Sequence, residues 1–354
     1  MFYTGVIMID LSSFDPNAAG NPQSNIFGLP FTEDNARLII QPVPWEATVN
    51  IYPGTARCIS SIVRHSVHID LFWKEHPDLW KQGIFIRETN QKILLKSDYL
   101  RKEAELLVGY TCCGKALCDN DFMQKNLKEI NCGGAYLNTW VYDHTKDIIE
   151  KGKLAALLGG DHSISQGMVQ ALSEKYNDFG ILQIDAHCEL RKSYEGFVYS
   201  HACVMRNILD KIPQVTKLVQ VGTREFCEEE YNYLKENSGR IKTFFDEDLK
   251  EEQYNGKSWY EISKSIVDAL PQYVYLSFDI DGLKPYYCPS ANSPVVGGLE
   301  YDQLKTIFKL MKQQGKTIIG FDLCQVGNGR VGTDAQVGSY ILWDLCNQFL
   351  HSNS

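Results

Sequence analysis

The sequence lacks the long apolar runs and basic clusters that mark membrane and nucleic-acid-binding proteins. No apolar run approaches the roughly 20 residues that span a bilayer. The N-terminal segment has neither a basic region nor a clear cleavage site. The net charge is −9, and no basic footprint is present. We therefore expect a cytoplasmic protein with a small-molecule or protein partner, no nucleic acid and no membrane.

Paired cysteines, internal repeats and flexible linkers are also missing. The cysteine count is odd, at 11, and no two cysteines have CxxC spacing, even in the segment CCGKALC at 112–118. This pattern argues against a disulfide framework, so we interpret the cysteines as mostly reduced thiols. Without a repeat or a linker, the chain is predicted to form a single α/β domain over residues 1–354.

The pattern from residue 154 onwards predicts a parallel sheet. Helix-like stretches separate five apolar runs, which are LAALLG, GILQID, LVQVG, VYLSFDID and TIIGFDL. Strands without in/out alternation, separated by helices, are typical of a sheet that is covered on both faces. Nearer the N-terminus, RLIIQPV predicts a strand and TARCISSIVRHSV a helix, together one βα unit.

Two segments fit this alternation of predicted strands and helices less well. Residues 1–33 form a divergent N-terminal extension, and residues 70–150 form a predicted helical insertion. Within the insertion, YLRKEAELLVGY and DFMQKNLKEI have the spacing of amphipathic or surface helices.

Three apolar runs end in potential metal ligands. They continue as LLGGDHS, LQIDAHCE and LSFDID, which offer Asp161, His162, Asp185, His187, Glu189, Asp279 and Asp281. Residues two apart on extended backbone share a face, and ligands bind at the carboxyl ends of parallel strands. Asp161 or Ser163 could instead cap a helix, but capping does not require the two histidines.

The charges of this cluster suit two divalent ions. The four carboxylates of Asp185, Glu189, Asp279 and Asp281 carry four negative charges, which two divalent cations would balance. If they were buried without a metal, these carboxylates would repel one another. Oxygen donors with two imidazoles suit Mn²⁺ and, less selectively, other first-row divalent ions. The set does not resemble a thiolate-rich structural zinc site.

These motifs, in this order, resemble the ureohydrolase family of arginases and agmatinases. The resemblance rests on GGDHS, DAHCE with SYEGFVYSHA, and SFDIDGLKP with NSPVVGGL, and EGFVYSHACVMRN is closest to the agmatinase branch. It covers about residues 154–345 and, more weakly, 36–65. It implies a three-layer αβα fold with a central, mainly parallel sheet.

The resemblance also implies a binuclear manganese site and its chemistry. One metal would be held by His162, Asp185, Glu189 and Asp279, and the other by His187, Asp185, Asp279 and Asp281. Asp185 and Asp279 would bridge the metals, and His201 in YSHA would carry protons. The implied reaction hydrolyses a guanidino C–N bond to an amine and urea, in a homo-oligomer that is a trimer or a hexamer.

Three positions depart from the family pattern. Glu189 and Lys284 each replace an aspartate, and Gln325, in GFDLCQVGNG, replaces the glutamate that accepts hydrogen bonds from the substrate guanidinium. Lys284 either weakens the metal site or turns to solvent. An amide keeps one acceptor but loses the charge. Three hypotheses therefore stay open: a guanidino hydrolase, a metallohydrolase of a less cationic amidino, formimino or ureido substrate, and a degenerate member that serves as a binding or regulatory subunit.

Overall fold

The fold is taken from a computed structural model that describes residues 11–49, 51–329 and 332–354. None of the helices in this part of the chain combines the length and the apolarity that crossing a bilayer requires. All 11 cysteines are free thiols, as the sequence predicts.

A single parallel sheet of eight strands organises the described residues. The strands are β1 (Leu38–Val43), β2 (Ile84–Ile86), β3 (Leu154–Gly159), β4 (Phe179–Ile184), β5 (Val215–Thr223), β6 (Ile241–Phe245), β7 (Tyr273–Asp279) and β8 (Thr317–Cys324). Their order is β2-β1-β3-β8-β7-β4-β5-β6, and every neighbouring pair is parallel. The predicted α/β fold with a central parallel sheet is confirmed.

Helices flank the sheet and bury its central strands. They are α1 (Cys58–Ser66), α2 (Gln91–Cys112), α3 (Asp121–Glu150), α4 (Ser165–Ser173), α5 (Val204–Lys211), α6 (Glu228–Glu236), α7 (Asp246–Tyr254), α8 (Trp259–Asp268), α9 (Tyr301–Gln313) and α10 (Thr333–Ser352). Every residue of β1 and β4 is buried, as expected for strands covered on both faces. α1 packs on α10, α3 packs on α2 and α4, and α8 packs on α9.

The strand order creates a crevice at the carboxyl edge of the sheet. β3 and β4 follow one another along the chain, yet β8 and β7 lie between them. Parallel sheets bind ligands where the strand order reverses in this way. The ends of β3, β8, β7 and β4 therefore lie side by side at one edge.

The two irregular segments differ in part from the expectation. The 70–150 segment contains the long helices α2 and α3, which Asn90 and Asn120 cap by accepting hydrogen bonds from backbone N–H groups, but it also contributes the edge strand β2. Residues 11–33 of the N-terminal extension pack on the domain, and the Phe27 ring lies 4.8 Å from that of Trp343 in α10. Residues 1–10 of the predicted extension lie outside the described residues.

Candidate metal centre

The turn after β3 brings His162 to the crevice. A Cβ on Gly160 would lie 1.8 Å from the carbonyl oxygen of Trp45, so only glycine permits this close approach. Asp161 caps the following turn, because its Oδ1 accepts a hydrogen bond from the Ser163 backbone N–H at 2.9 Å. Asp161 is therefore the helix-cap residue that the sequence allowed, while His162 is fully buried and faces the site.

A hydrogen-bond chain orients the His162 imidazole. The Ser277 hydroxyl donates to Asp322 at 3.0 Å, so its oxygen accepts from His162 Nε2 at 2.8 Å. This assignment leaves Nδ1 with a free electron pair. Nδ1 lies 2.9 Å from Oδ2 of Asp185 and 3.3 Å from Oδ2 of Asp279, yet it makes no hydrogen bond of normal geometry. A buried nitrogen that faces two carboxylates in this state is arranged as a metal ligand.

Asp185 lies at the centre of the cluster, and hydrogen bonds from neighbouring residues fix its carboxylate. Its Oδ1 accepts from the His187 backbone N–H at 2.7 Å, and its Oδ2 accepts from Gln183 Nε2 at 2.7 Å. Gln183 in turn accepts from Gln220, which accepts from Thr243. This fully connected chain across β4, β5 and β6 fixes the position of the Asp185 carboxylate.

His187 and Asp281 form the second part of the cluster. His187 Nδ1 lies 3.2 Å from Oδ2 of Asp281 and 3.5 Å from Oδ1 of Asp185. On its other side, His187 Nε2 lies 3.6 Å from the Glu225 carboxylate. Asp281 Oδ1 accepts from the Ala186 backbone N–H at 3.0 Å, which fixes that carboxylate as well.

The carboxyl groups are too crowded to ionise together without a cation. Burial raises the pKa of Glu189 well above its usual range, and the adjacent Asp185 raises it further. Burial likewise raises the pKa of Asp279, with Asp281 and Asp185 adding to the effect. In the part of the chain that the structure describes, Oε2 of Glu189 has no hydrogen-bond partner.

Two of the departing residues adopt unusual backbone conformations. Glu189 has φ = 56° and Gln325 has φ = 61°, both in the left-handed region that disfavours side chains. Such conformations cost about 1–3 kcal/mol and concentrate at functional sites. The Gln325 backbone N–H donates to the carbonyl of Gly160 at 2.8 Å, and its buried side-chain Oε1 has no partner within residues 11–49, 51–329 and 332–354.

His201 lies on the wall of the same crevice. It begins a short helical turn that Ser200 caps, and it is almost fully buried. Burial lowers the pKa of His201 to about 3, and the nearby His187 and His162 lower it further. The imidazole is therefore neutral near pH 7.

A solvent-open cavity of about 120 Å³ joins these groups. His187, Glu189, His201, Asp281 and Gln325 line it, together with Arg191, Tyr194, Glu225, Phe226 and Asn292. The half-exposed Arg191 guanidinium lies 4.9 Å above the Tyr194 ring. Buried acids and imidazoles at one end and a mixed polar and aromatic rim at the other suit a small polar ligand.

Lys284 does not enter the metal cluster. Its ammonium pairs with Glu300, which also accepts hydrogen bonds from the hydroxyls of Tyr286 and Tyr287. Both side chains of the pair are about one-third exposed. The positive charge is thus compensated at the surface.

The donor set fits divalent cations. The structure brings together all six predicted ligands, and ligand atoms within 4.8 Å of one another occur in the groups His162, Asp185 and Glu189, and Asp185, His187 and Asp281. Asp185 belongs to both groups. Crowded carboxylates, unpartnered buried donor atoms and two oriented imidazoles together suit divalent cations.

Sequence reasoning missed three groups at this site. Glu225, Arg191 and Cys324 contribute to the cavity or to the metal cluster. Glu225 follows the apolar run of β5, so the rule that was applied to the other strand ends could have found it. Cys324 directly precedes Gln325, and Arg191 lies two positions after Glu189.

Comparison with known proteins places the chain in a family. It matches the Arginase family over residues 36–345. It is 26% identical to N(1)-aminopropylagmatine ureohydrolase of Synechocystis sp. over 82% of each chain, and 28% identical to agmatinase of Bacillus subtilis over 52% of this chain and 60% of that one. Its fold is similar to that of the agmatine ureohydrolase of Thermoplasma volcanium, with a TM-score of 0.66 at 19% identity over 90% of this chain and 92% of that one. The chain therefore belongs to the arginase family of hydrolytic enzymes.

Proposed function

We propose that the protein is a binuclear-metal hydrolase that cleaves a guanidino C–N bond, in the manner of an agmatinase, and releases an amine and urea. One observation carries this proposal. Six buried or half-buried ligand-type side chains converge around Asp185, and unpartnered donor atoms of His162 and Glu189 face the cluster. The family membership and the names of the relatives support the same chemistry.

Two close ligand groups share Asp185, and Asp279 joins them through the family resemblance and its 3.3 Å distance from His162 Nδ1. His162, Asp185, Glu189 and Asp279 would hold one cation, and His187, Asp185, Asp279 and Asp281 the other. When bound, two divalent cations lower the pKa of a water molecule towards neutrality and stabilise developing negative charge. We propose Mn²⁺ because oxygen donors predominate.

The remaining groups bind the substrate and move protons. Gln325 Oε1, buried and without a partner, would accept a hydrogen bond from the planar N–H groups of the substrate. His201, which borders the same cavity, would pass a proton to the departing amine, as the family resemblance implies. Burial of both side chains restricts bulk water at the reacting carbon.

A second candidate keeps the metals but changes the substrate. The neutral Gln325 amide offers one acceptor and two donors, which match a neutral ureido group better than a guanidinium cation. An amidino or formimino substrate is the related choice. A metal-free binding or regulatory subunit is the third reading, and the donor set argues against it.

The experiment loads purified protein with Mn²⁺ and assays a panel of guanidino, amidino, formimino and ureido compounds for urea and ammonia. Turnover of guanidino compounds supports the first proposal, and turnover confined to ureido compounds supports the second. No bound metal and no turnover with any compound would contradict both enzyme proposals.

A trimeric or hexameric assembly and a cytoplasmic location stay predictions, which sedimentation and fractionation can test.

A further inference from the structure

Cys324 brings a sulfur atom to one side of the metal centre. Cys324 ends β8 and pairs in register with Asp279 at the end of β7. Its Sγ lies 3.7 Å from Oδ2 of Asp279 and 3.5 Å from the carbonyl oxygen of Phe278. The thiol is fully buried, so solvent does not compete for it.

The distances between the sulfur and two predicted ligands are close to those between two ligands of one metal ion. Donor atoms of His162, Asp279 and Cys324 all lie within 4.8 Å of one another. Zinc binds nitrogen at about 2.0–2.1 Å and sulfur at about 2.3 Å, so donors on one ion lie at most about 4.4 Å apart. Small side-chain shifts would therefore place all three atoms on one ion.

A second observation points to a ligand at the same place. His162 Nδ1 is buried and makes no hydrogen bond of normal geometry, because Ser277 fixes the ring through Nε2. Nδ1 lies 3.3 Å from Oδ2 of Asp279, and Cys324 Sγ lies 3.7 Å from that same oxygen. The position around His187 differs, since its ring nitrogens lie near the carboxylates of Asp185, Glu225 and Asp281.

We propose that Cys324 is a sulfur ligand of the cation held by His162, which makes the two metal positions chemically unequal. The inference rests on the metal centre of the proposed function. Sulfur favours Zn²⁺ and Co²⁺ over Mn²⁺, whereas the position at His187 has only nitrogen and oxygen donors. On binding, the S–H bond breaks, the sulfur donates its electron pair to the ion, and the proton passes to the Asp279 carboxylate, whose Oδ2 lies 3.7 Å from Sγ.

Cobalt spectroscopy tests the proposal directly. Wild-type protein titrated with Co²⁺ should develop a sulfur-to-cobalt charge-transfer absorption that saturates at one sulfur-bound ion per chain. Cys324→Ala should still bind two Co²⁺ ions by elemental analysis but lose that absorption. Cys346→Ala removes another buried thiol, in α10, and should keep it. In competition experiments, the preference for Zn²⁺ over Mn²⁺ should be about tenfold or more lower in Cys324→Ala than in wild-type protein.

Four outcomes would overturn the inference, and they differ in whether the metal centre is rejected as well. Two bound Co²⁺ ions without the absorption, or an absorption that survives Cys324→Ala, would reject the sulfur ligand and leave the metal centre intact. A wild-type protein that binds no Co²⁺ would reject the metal centre as well. If Cys324→Ala does not fold, X-ray absorption of wild-type protein with one Zn²⁺ decides: a zinc–sulfur distance of about 2.3 Å is expected, and its absence refutes the proposal.

Discussion

Among single residues, Gln325 is the one to which the proposed function gives the largest part in substrate choice. Its buried Oε1 has no hydrogen-bond partner among the described residues and borders the same cavity as His201 and Asp281. A carboxylate at this place would hold a cation through charge-assisted hydrogen bonds, which are about twice as strong as neutral ones. The amide reduces that preference for charge without removing the acceptor.

Gln325→Glu should therefore raise kcat/KM for guanidino compounds by about tenfold, from a gain of roughly 1.4 kcal/mol in hydrogen bonding to charge. Urea release from agmatine measures the change. Gln170→Glu, on the exposed surface of α4, adds the same charge away from the cavity and should have no effect. An unchanged or lower kcat/KM in Gln325→Glu would show that the amide does not limit guanidinium binding.

His201→Gln should lower kcat by roughly 100-fold or more, because a positioned acid–base group contributes about that much. Its metal content should not change, since His201 is absent from the close ligand groups. His68→Gln, at an exposed position, is the matched control. Loss of metal together with activity would mean that His201 supports the metal centre instead.

At the scale of secondary structure, the turns that follow the strands position the site. Gly160 lets the turn after β3 pass against Trp45, and this approach places His162 beside β7 and β8. Helix propensity has little part in it, because the metal ligands lie on turns and strand ends. The precision of the site therefore depends on steric fit at a few turns.

Gly160→Ala should destabilise the fold by about 1–3 kcal/mol, since its Cβ has no room and backbone must move. The shift should also displace His162 and weaken metal binding. Gly109→Ala, inside α2 with open space around it, should instead stabilise by about 0.5–1 kcal/mol. Denaturant midpoints of the two variants measure the contrast, and equal effects would contradict it.

The sequence predicts the buried strands better than the edges of the sheet. Continuous apolar runs identify β3, β4, β5, β7 and β8, because both faces of these strands are covered. β2 has three residues and β6 is partly exposed, so neither produces a distinctive pattern. In α3, Gly133 and Gly134 interrupt the helical signal, although tight packing against Leu100 and Tyr199 requires them.

The candidate site was predictable where side-chain type alone indicates metal binding. Carboxylates and histidines after strands identify the cluster, whereas Cys324 joins it only because β8 lies beside β7 in the sheet. Strand order is not encoded locally, so the sulfur could not be placed from sequence. The pairing of Lys284 with Glu300 likewise depends on tertiary packing.

At the scale of the whole molecule, buried acids outside the site affect stability. Burial raises the pKa of Asp344 to about 7, above the value of 3.8 expected in the unfolded chain. The folded protein therefore keeps this proton between those values. The free energy of unfolding should fall as pH rises from about 4 to 7, by up to about 1.4 kcal/mol per unit, and then level off.

Asp344→Asn should thus raise stability near neutral and higher pH, and this advantage should shrink as pH falls below about 7 and be gone at about 4. The asparagine oxygen can still accept the hydrogen bond from Tyr301. Glu300→Gln should show the opposite pH dependence. Lys284 holds the pKa of Glu300 down to about 2, so the stability that the Glu300 carboxylate contributes is lost as pH falls. Urea unfolding across pH measures both, and a pH-independent effect of Asp344→Asn would contradict the assignment.

Anomalous diffraction from crystals loaded with Mn²⁺ would examine the shared role of Asp185 most directly. The metal assignment predicts two peaks, one beside His162 and one beside His187, with the Asp185 carboxylate between them. Asp185→Asn should lose most of the occupancy of both peaks, because the bridging charge is removed. A wild-type protein without peaks at this edge of the sheet, or an Asp185→Asn variant with full occupancy, would contradict the two-metal site.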